Sequence, residues 1–240
     1  MMGKRTLIIG ASGEIGKSIS ENLLREGHLL HLHYHSNVDS ITEIQQGPYS
    51  NQIIDIYQAD LRNKEGLQAF LEVLPSDVDH IVFASGNAEY GLFQDLDDLS
   101  MEQLIHLHVT SPWKITKFIL PNMVRKKMGH ILFITSIWGE VGASCEVAYS
   151  AVKGSQNTFI KALAKEVAPS GVYVNGVSPG LIATKMNAHL TNEDYRMIED
   201  DIPMQRSGRA DEVANVVTFL LSDKASYING EIIRVNGAWY

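Results

Sequence analysis

The sequence predicts an α/β protein built on one doubly wound parallel sheet of about seven strands, with helices on both faces. Three observations lead to this prediction. Short apolar runs alternate with longer amphipathic runs along the 240 residues, as they do in repeated βαβ units. The short runs are apolar on both faces, which is typical of strands covered by helices on each side. A glycine-rich turn, "GASGEIG", joins the first strand to the first helix.

The first strand is predicted from the buried run "RTLIIG" at 5–10, and the first helix ends at Gly27. We expect one domain over residues 1–240, because no repeat, linker or low-complexity stretch divides the chain. Segment 181–208 is the least periodic, and a long irregular segment in a compact domain is often a substrate lid. The remaining strands are predicted at 28–34, 51–60, 79–86, 129–136, 172–178 and 231–236, and the helices at 14–27, 63–74, 98–127, 148–168, 191–200 and 210–221.

The net charge and the cysteine content disfavour several classes of function. The formal net charge of −8 disfavours nucleic acid as the main partner, because phosphate binding needs a basic face. Cys145 is the only cysteine, so no intrachain disulfide is expected, which fits a cytoplasmic protein. A lone cysteine is more often a small packing residue than a nucleophile. No window holds 18 consecutive apolar residues and the N-terminus does not resemble a signal peptide, so we expect no membrane association.

The turn from Gly10 to Gly16 stands where a dinucleotide phosphate loop belongs. Glycines let the backbone approach a pyrophosphate, and the N-terminus of the following helix favours its negative charge. A glycine turn alone is weak evidence, since any tight turn between strand and helix uses glycine. Its place after the first strand of a βαβ array strengthens the interpretation.

The end of the second predicted strand, "HLHYHSN", carries no acid from His31 to Asn37. Enzymes that prefer NAD commonly place an acid there to hold the ribose 2′-hydroxyl, whereas His35 and Ser36 can meet a 2′-phosphate. The sequence therefore favours NADP(H). His31, His33 and His35 share one face of the strand. Three ligands on one strand converge poorly on an ion, so we expect packing and cofactor contact there, and no metal site.

Tyr149 and Lys153 are neighbours one turn apart on the predicted helix 148–168. Free tyrosine has a pKa of about 10, and a nearby cation lowers that pKa toward the range where a general acid works best. The spacing alone is weak evidence, because a surface lysine beside a packed tyrosine gives the same pattern. Ser136 ends the fifth predicted strand, where its hydroxyl can hydrogen-bond a substrate oxygen as charge develops. We therefore expect Tyr149 to donate a proton to a carbonyl that is being reduced.

The order and spacing of Ser136, Tyr149 and Lys153, together with the glycine turn, resemble the short-chain dehydrogenase/reductase family, whose fold is Rossmann-like. The resemblance covers essentially the whole chain, including "SPGLIAT" at 178–184. It implies a set of cofactor contacts along the carboxyl edge of the sheet: Gly10, Ser12, Gly13, Glu14, Ile15, Gly16, His35, Ser36, Asp60, Leu61, Ala84, Ser85, Gly86, Tyr149, Lys153, Pro179, Gly180, Ile182 and Thr184.

Four positions, Glu14, Phe83, Ala84 and His108, depart from the pattern of the family. Glu14 stands where the middle glycine belongs, so its carboxylate must point away from the pyrophosphate. The stretch "FASG" at 83–86 replaces an Asn-Asn-Ala-Gly motif. His108 stands at the asparagine that holds a water in the proton path from the lysine. A histidine can hold that water, can relay protons itself, or can be an ordinary packed residue.

Within the family, the chain resembles 3-oxoacyl-acyl-carrier-protein reductases. More narrowly, "SIWGEVGASCEVAYSAVKGSQ" and "LAKEVAPSGVYVNGVSPG" resemble the elongation factor P 5-aminopentanone reductases. Either resemblance implies NADP(H)-dependent reduction of a ketone carried on a protein, which is modified elongation factor P or acyl carrier protein. A catalytically silent dinucleotide-binding sensor stays open as an alternative of another class.

The family also implies a homotetramer or homodimer built on the helices 98–127 and 148–168. Candidate interface residues on these helices are Leu104, Ile115, Phe118 and Phe159. In segment 181–208, Met186, Met197 and Met204 suit an adaptable apolar wall. The carboxylates of that segment, Asp200 and Asp201 among them, are expected to attract an amine-bearing substrate and to repel an acidic carrier. The alternative interpretation is that these charges only keep the loop soluble and take no part in substrate binding.

Overall fold

The computed structural model describes residues 3–187 and 190–240. Its strands form one seven-stranded sheet in the order β3-β2-β1-β4-β5-β6-β7, and all neighbouring strands run parallel. The predicted Rossmann-like doubly wound sheet is therefore confirmed. The strands are β1 (Arg5–Ile9), β2 (Leu29–Tyr34), β3 (Ile53–Gln58), β4 (His80–Phe83), β5 (Gly129–Ile134), β6 (Val172–Pro179) and β7 (Ile232–Val235).

The helices include every helix that the sequence predicts and two that it did not. The eight-residue α2 was missed because only Ile41 and Ile44 on it are buried, and Asn37 caps it by accepting a hydrogen bond from the Ser40 N–H. The other addition is the single turn α6. The helices are α1 (Glu14–Arg25), α2 (Val38–Gln45), α3 (Lys64–Val73), α4 (Asp98–Ile105), α5 (Ser111–Lys126), α6 (Trp138–Val141), α7 (Val147–Val167), α8 (Asn192–Asp201) and α9 (Ala210–Leu220).

Both faces of the sheet are packed, because successive strand residues point to opposite sides. In β1, Ile8 packs on the side of α1, α2 and α9, whereas Leu7 and Ile9 pack on the side of α3, α5 and α7. β1 lies between β2 and β4, so the order of connection reverses at β1. A crevice outside the carboxyl ends of the strands is expected at such a reversal, and ligands bind there.

β4 and β5 are among the strands that end earlier than predicted, and their early ends form the edge of that crevice. β4 ends at Phe83 and β5 at Ile134, so the residues that follow leave the sheet. Phe83 pairs with Phe133 in register, and their rings stack with centroids 4.6 Å apart. The segments 84–86 and 135–137 therefore emerge side by side at the carboxyl edge.

The long helix predicted at 98–127 is continuous but contains a π-helical turn over His106–Thr110 between α4 and α5. Such a turn accommodates one extra residue and is frequent at functional sites. Leu104 and Ile115, which the sequence suggested as interface candidates, are only 2% and 0% exposed because they face the core of their own subunit. Phe118 stays 39% exposed, and Phe159 is partly buried against Phe133.

The histidines of β2 make separate contacts. His33 packs edge-on against Phe70, and its Nε2 lies 3.1 Å from the backbone oxygen of Ala59. His31 pairs with Tyr57 on β3. Within residues 3–187 and 190–240, no group of three or more histidine, cysteine or acidic side chains is placed to hold a metal ion. No helix in the same ranges is long and apolar enough to cross a membrane.

The segment predicted as a lid projects from a closed base. Ile182 and Gly208 form a parallel bridge, and the N–H groups of Ala183 and Gly208 donate to Gly208 and Leu181 across it. Between these ends lies α8, capped at Thr191 by reciprocal hydrogen bonds with Asp194. Residues 188–189 of the predicted lid lie outside the described residues.

Candidate active site

Two adjoining cavities open at the carboxyl edge of the sheet. One, of about 640 Å³, is lined by Ser136, Tyr149 and Lys153. The other, of about 550 Å³, is lined by the glycine loop and by the ends of β2 and β3. Ile15, Thr184 and the segment 84–86 line both cavities, so one crevice runs from the glycine loop to Tyr149.

The structure brings Ser136, Tyr149 and Lys153 together. Ser136 follows the end of β5, and its side chain hydrogen-bonds the phenol of Tyr149. Lys153 lies one turn after Tyr149 on α7, with Nζ 5.5 Å from the centroid of the tyrosine ring. The Lys153 ammonium donates to the backbone oxygen of Ile134 at 2.9 Å. This bond fixes the lysine behind the tyrosine, and all three side chains are buried.

The electrostatics of this group differ from the sequence-based expectation. Lys153 was expected to lower the pKa of Tyr149, but burial raises that pKa above its ordinary value, and the charge of Glu146 adds to the rise. The hydrogen bond from Ser136 acts in the opposite direction. Burial also lowers the pKa of Lys153 to about 7. Desolvation penalises the charged form of each group, so the phenol of Tyr149 keeps its proton and can donate it.

His108 lies in the π-helical turn and is 1% exposed. Burial, followed by the charge of Lys153, lowers the pKa of His108 to about 3. The imidazole is therefore neutral at working pH, and a relay through its charged form, which the sequence left open, does not fit. Nε2 lies 2.9 Å from the backbone oxygen of Asn87, and the ring meets the Tyr149 ring edge-on at 5.7 Å. The backbone oxygen of His108 accepts from Gln156 Nε2 at 2.8 Å.

Nearly all residues predicted for catalysis or cofactor contact line one of the two cavities. The exceptions are Gly16 and His108. Those that line the crevice are Gly10, Ser12, Gly13, Glu14, Ile15, His35, Ser36, Asp60, Leu61, Ala84, Ser85, Gly86, Ser136, Tyr149, Lys153, Pro179, Gly180, Ile182 and Thr184.

The glycine loop fits a dinucleotide phosphate. Gly10 has φ +86°, and a Cβ there would lie 2.5 Å from the Ser85 backbone, so only glycine is tolerated. Gly13 precedes α1 and provides no capping side chain, which leaves the first N–H groups of the helix for an anion. Gly16 acts indirectly: a Cβ there would lie 2.1 Å from the Gly10 oxygen, so its role is close packing of α1 against the loop.

Glu14, the departure from the glycine pattern, spans the crevice. Its two carboxylate oxygens accept the backbone N–H of Lys185 at 3.0 and 3.1 Å. The carboxylate thus connects the phosphate loop to the base of the predicted lid. Its charge still lines the cavity of the loop.

The end of the crevice beside β2 and β3, where the ribose of a dinucleotide is expected, is called the ribose end. It contains a cation that was not predicted from the sequence. The Arg62 guanidinium forms two 2.9 Å hydrogen bonds with Asp60 and lowers the pKa of that carboxyl to about 2. Arg62 also lies 3.5 Å from the His35 ring, and both side chains line the cavity beside Ser36. The position of Arg62 two residues after the acid that follows β3 was the available signal.

The larger cavity is lined by aromatic side chains that no sequence pattern predicted. Trp138 packs against Trp239 and Tyr240, with ring centroids 5.2 and 5.8 Å apart. These rings line the larger cavity together with Tyr90, Glu146 and Asp194. Met186 and Met197 line it as expected from the lid, but Met204, Asp200 and Asp201 do not. Asp200 and Asp201 lie on the exposed side of α8.

Comparison with known proteins agrees with this geometry. The sequence profile of the family described as "Enoyl-(Acyl carrier protein) reductase" matches residues 10–239. The chain is 45% identical to the "Uncharacterized oxidoreductase YmfI" of Bacillus subtilis over the full length of both. It is 34% identical to the 3-oxoacyl-[acyl-carrier-protein] reductase FabG of Aquifex aeolicus, over all of this chain and 98% of that protein.

A solved structure of YwfH, described as an NADPH dependent reductase involved in bacilysin biosynthesis, has the same fold. It superposes with a TM-score of 0.89 over 99% of this chain and 98% of that chain, at 21% identity. The full-length sequence relationships, the family profile and the grouping of Ser136, Tyr149 and Lys153 lead to one assignment. The chain belongs to the short-chain dehydrogenase/reductase family of oxidoreductases.

Proposed function

We propose that the chain reduces a ketone carried on a protein, with NADPH as the reductant, and that its substrate is the 5-aminopentanone group of modified elongation factor P. The observation that supports ketone reduction is the grouping of Ser136, Tyr149 and Lys153 in the larger cavity, which adjoins the cavity of the glycine loop. A ketone in the larger cavity lies between these residues and the crevice that fits a dinucleotide.

The roles of the side chains follow from their protonation states. A nicotinamide cofactor bound in the crevice would supply the hydride. Tyr149, whose phenol is protonated, donates the proton to the carbonyl oxygen. Ser136 hydrogen-bonds the same oxygen as negative charge develops on it. Lys153 is held by the Ile134 carbonyl and, with a pKa of about 7, exchanges a proton readily at neutral pH.

The preference for NADPH rests on the ribose end of the crevice. Arg62, His35 and Ser36 line it, and the Asp60 carboxylate is already paired with Arg62. A guanidinium beside an imidazole and a hydroxyl suits a 2′-phosphate. The NADPH dependence of YwfH, which shares the fold, is consistent with this choice.

The choice of carrier rests on the charge of the segment 86–98, which borders the larger cavity through Gly86, Ala88 and Tyr90. Between Gly86 and Asp98 the chain carries four acids and no lysine or arginine. Tyr90, Leu92 and Phe93 in the same segment are more than half exposed. An acidic carrier protein is repelled by such a surface, whereas a carrier with basic residues around its modified lysine is attracted. The acids are Glu89, Asp95, Asp97 and Asp98.

Acyl carrier protein is the second candidate carrier, favoured by the similarity to 3-oxoacyl-[acyl-carrier-protein] reductases at 32–34% identity. A silent dinucleotide sensor is the alternative of another class. The buried group of Ser136, Tyr149 and Lys153 disfavours it, because a sensor needs no proton donor.

One experiment separates these candidates. NADPH oxidation is measured with modified elongation factor P and with an acetoacetyl thioester of acyl carrier protein, at matched concentrations. We expect a higher kcat/KM with elongation factor P. A higher value with the thioester would assign the second function, and NADPH binding without oxidation of either substrate would indicate the sensor.

We also propose that copies of the chain associate through α5 and α7. Trp113 is 44% exposed and stacks on Phe159 of α7, and Phe118 is exposed on the same helix as Trp113. Light scattering is expected to give a dimer or tetramer, and a 26.6 kDa species at micromolar concentration would contradict this proposal.

A further inference from the structure

Gln156 lies on the face of α7 that also carries Tyr149 and Lys153. The three residues occupy positions i, i+4 and i+7, which share one side of a helix, and all three are buried. The Nε2 of Gln156 donates to the backbone oxygen of His108 at 2.8 Å. The side chain one turn after the lysine therefore reaches out of α7 and holds the π-helical turn.

The carbonyl of His108 needs a donor from outside its own helix. In a regular α-helix it would accept the N–H of residue 112. That residue is Pro112, which has no N–H, and both His108 and Pro112 are buried. A buried carbonyl without a partner is costly. The Gln156 amide takes the place of the missing N–H, so the two helices fit each other at this point.

The π-helical turn is also tied to the walls of the cavity of the glycine loop. The Ser111 hydroxyl donates to the backbone oxygen of Leu61 at 2.8 Å, and the His108 Nε2 lies 2.9 Å from the backbone oxygen of Asn87. Leu61 and Asn87 both line that cavity. The Asn87 N–H is farther from Nε2, at 3.5 Å, so the neutral imidazole carries its proton on Nε2. The imidazole is thus fixed between the wall of this cavity and the Tyr149 ring, whose centroid lies 5.7 Å away.

Stability alone does not account for the Gln156 amide. Its Oε1 is buried and has no hydrogen-bond partner among the described residues. The cost of burying that oxygen offsets the gain from the bond that Nε2 makes. The amide therefore adds little to the free energy of unfolding, and its main effect is on where the His108 backbone lies.

We propose that Gln156 is a positioning residue for the proton donor: by holding the His108 carbonyl it keeps the imidazole against the Tyr149 ring and so fixes the phenol for proton transfer. The proposal rests on the proposed function, because it takes Tyr149 as the group that protonates the ketone. Gln156 lines neither cavity, so it acts through His108 and not on the substrate or the cofactor.

Gln156→Met tests this role, because methionine keeps the length of the side chain and removes its hydrogen-bonding amide. Turnover is measured with NADPH and a small ketone, ethyl acetoacetate, so that no carrier protein is needed. We expect kcat to fall about ten- to a hundredfold, the loss that a small displacement of a reacting group causes. The solvent deuterium isotope effect on kcat should increase, because transfer of the Tyr149 proton becomes slower relative to the other steps. The NADPH dissociation constant should change less than about twofold, since the loss lies in the chemical step.

The His108→Ala background shows whether Gln156 acts through the imidazole. Without the ring the amide has nothing to position, so adding Gln156→Met should lower kcat by less than about twofold. Thr116→Val is the matched control, since it removes another buried polar atom without a partner among the described residues, from α5. Its kcat and its isotope effect should equal those of the wild-type protein.

Two kinetic results would overturn the proposal. The first is an equal loss of kcat from Gln156→Met with and without the His108 ring, because the amide would then act independently of the imidazole. The second is a lower kcat with an unchanged isotope effect, which indicates less active protein and not a displaced phenol.

Hydrogen exchange gives a readout that does not depend on turnover. The Ser111 N–H donates to the His106 backbone oxygen within the π-helical turn. The amides of residues 106–111 should exchange faster in Gln156→Met than in the wild-type protein or in Thr116→Val, while the melting temperatures stay close. If the wild-type protein reduces no ketone, the proposed function fails, and faster exchange still supports the hold of Gln156 on the turn. Unchanged exchange in Gln156→Met, or a kcat within about twofold of the wild-type value, would refute the inference even in an active enzyme.

Discussion

Glu14 and Lys185 are 171 residues apart in sequence, yet the carboxylate of the first accepts the backbone N–H of the second with both oxygens, at 3.0 and 3.1 Å. The phosphate loop and the base of the segment 181–208 therefore meet through a single side chain. The same carboxylate puts a negative charge into a cavity suited to phosphates. We therefore expect Glu14 to stabilise the base of the segment 181–208 and to weaken the binding of a phosphate-bearing cofactor.

These two effects can be separated by substitution. Glu14→Gln keeps an oxygen acceptor for Lys185 but removes the charge, so NADPH should bind about two- to fivefold more tightly. Glu14→Ala also removes the acceptor, so the lid base should loosen. Limited proteolysis within 181–208 should then be faster for Ala than for Gln, with NADPH affinity followed by nucleotide fluorescence. Equal proteolysis of the two variants would contradict the role of the hydrogen bond.

Tyr149→Phe should remove the proton donor while leaving the fold and the cofactor crevice intact. Removal of a general acid typically costs about 10²–10⁴-fold in rate. We expect a loss of kcat in this range, with the NADPH dissociation constant changed less than about twofold. Tyr195→Phe, on the partly buried side of α8, is the control for loss of a hydroxyl. A Tyr149→Phe enzyme that keeps more than half of the wild-type rate would rule out this role.

Lys153→Met should make the protein inactive and more stable. The folded-state pKa of about 7 lies below the ordinary 10.5, so the unfolded chain binds the extra proton between these values, and the free energy of unfolding rises with pH across this range. At pH 7 nearly the full cost of burying the charged lysine is present, and it lowers the free energy of unfolding by on the order of 4 kcal/mol. Loss of the hydrogen bond to the Ile134 carbonyl offsets roughly 1 kcal/mol of the stability that the substitution gains.

Urea unfolding without cofactor should therefore show a gain of about 1–3 kcal/mol at pH 7, and a smaller gain at pH 10. Lys165→Met, on the exposed side of the same helix, should change stability little at either pH. A destabilised Lys153→Met protein at pH 7 would show that the buried ammonium is better compensated than its hydrogen bond to Ile134 suggests.

Stability should fall as the pH drops from about 6.5 toward 4, before most carboxylates titrate. At the amino ends of the strands, His80 lies between the rings of His28 and His130, and both of its nitrogens lack a partner among the described residues. Burial lowers the pKa of all three, that of His130 to about 4. The unfolded chain then binds more protons in this window, so stability is present above pH 6.5 and is lost below it.

His80→Phe removes one of these groups without breaking a hydrogen bond. The slope of the unfolding free energy between pH 6.5 and 5 should decrease by up to about 1.4 kcal/mol per pH unit. An unchanged slope in His80→Phe would mean that this ring does not stay neutral in the folded protein.

NADPH should be preferred over NADH, and the preference should depend on Arg62 and His35. Arg62→Gln should lower the NADPH to NADH ratio of kcat/KM about tenfold, because a charge-assisted contact to the 2′-phosphate is lost. His35→Asp should reverse the preference by like-charge repulsion. Lys64→Gln is the control that removes a nearby surface charge. It should leave the NADPH to NADH ratio of kcat/KM unchanged. A wild-type ratio below one would overturn the assignment of NADPH.

The alternation of strands and helices could be predicted from the sequence, because buried strands such as β1 and β5 are continuous apolar runs. The sequence pattern missed α2, where polar residues surround Ile41 and Ile44. In the site, the spacing of Tyr149 and Lys153 predicted their proximity. It could not predict the sign of the Tyr149 pKa shift, because that sign depends on burial.

The contact between Trp138 and Trp239 could not be predicted from the sequence either. Trp138 and Trp239 are far apart along the chain, and no local pattern relates them; only the pairing of β5 and β7 with β6 brings their loops together. Arg62 was overlooked for a related reason. Its proximity to His35 depends on the parallel pairing of β2 with β3, which aligns the two strand ends.

The π-helical turn at His106–Thr110 sets the rotational phase between α4 and α5. A π turn holds one residue more than an α turn, so everything before it is rotated by about 100° relative to a regular helix. A single deletion within the turn would restore a regular helix and swing α4, with the acidic segment that precedes it, around the helix axis. The cavity mouth would then present a different set of side chains while Tyr149 and Lys153 stayed in place. Exchange of this region between relatives must therefore conserve the residue count of the turn, and a one-residue change in its length would alter the cavity mouth while Ser136, Tyr149 and Lys153 stay unchanged.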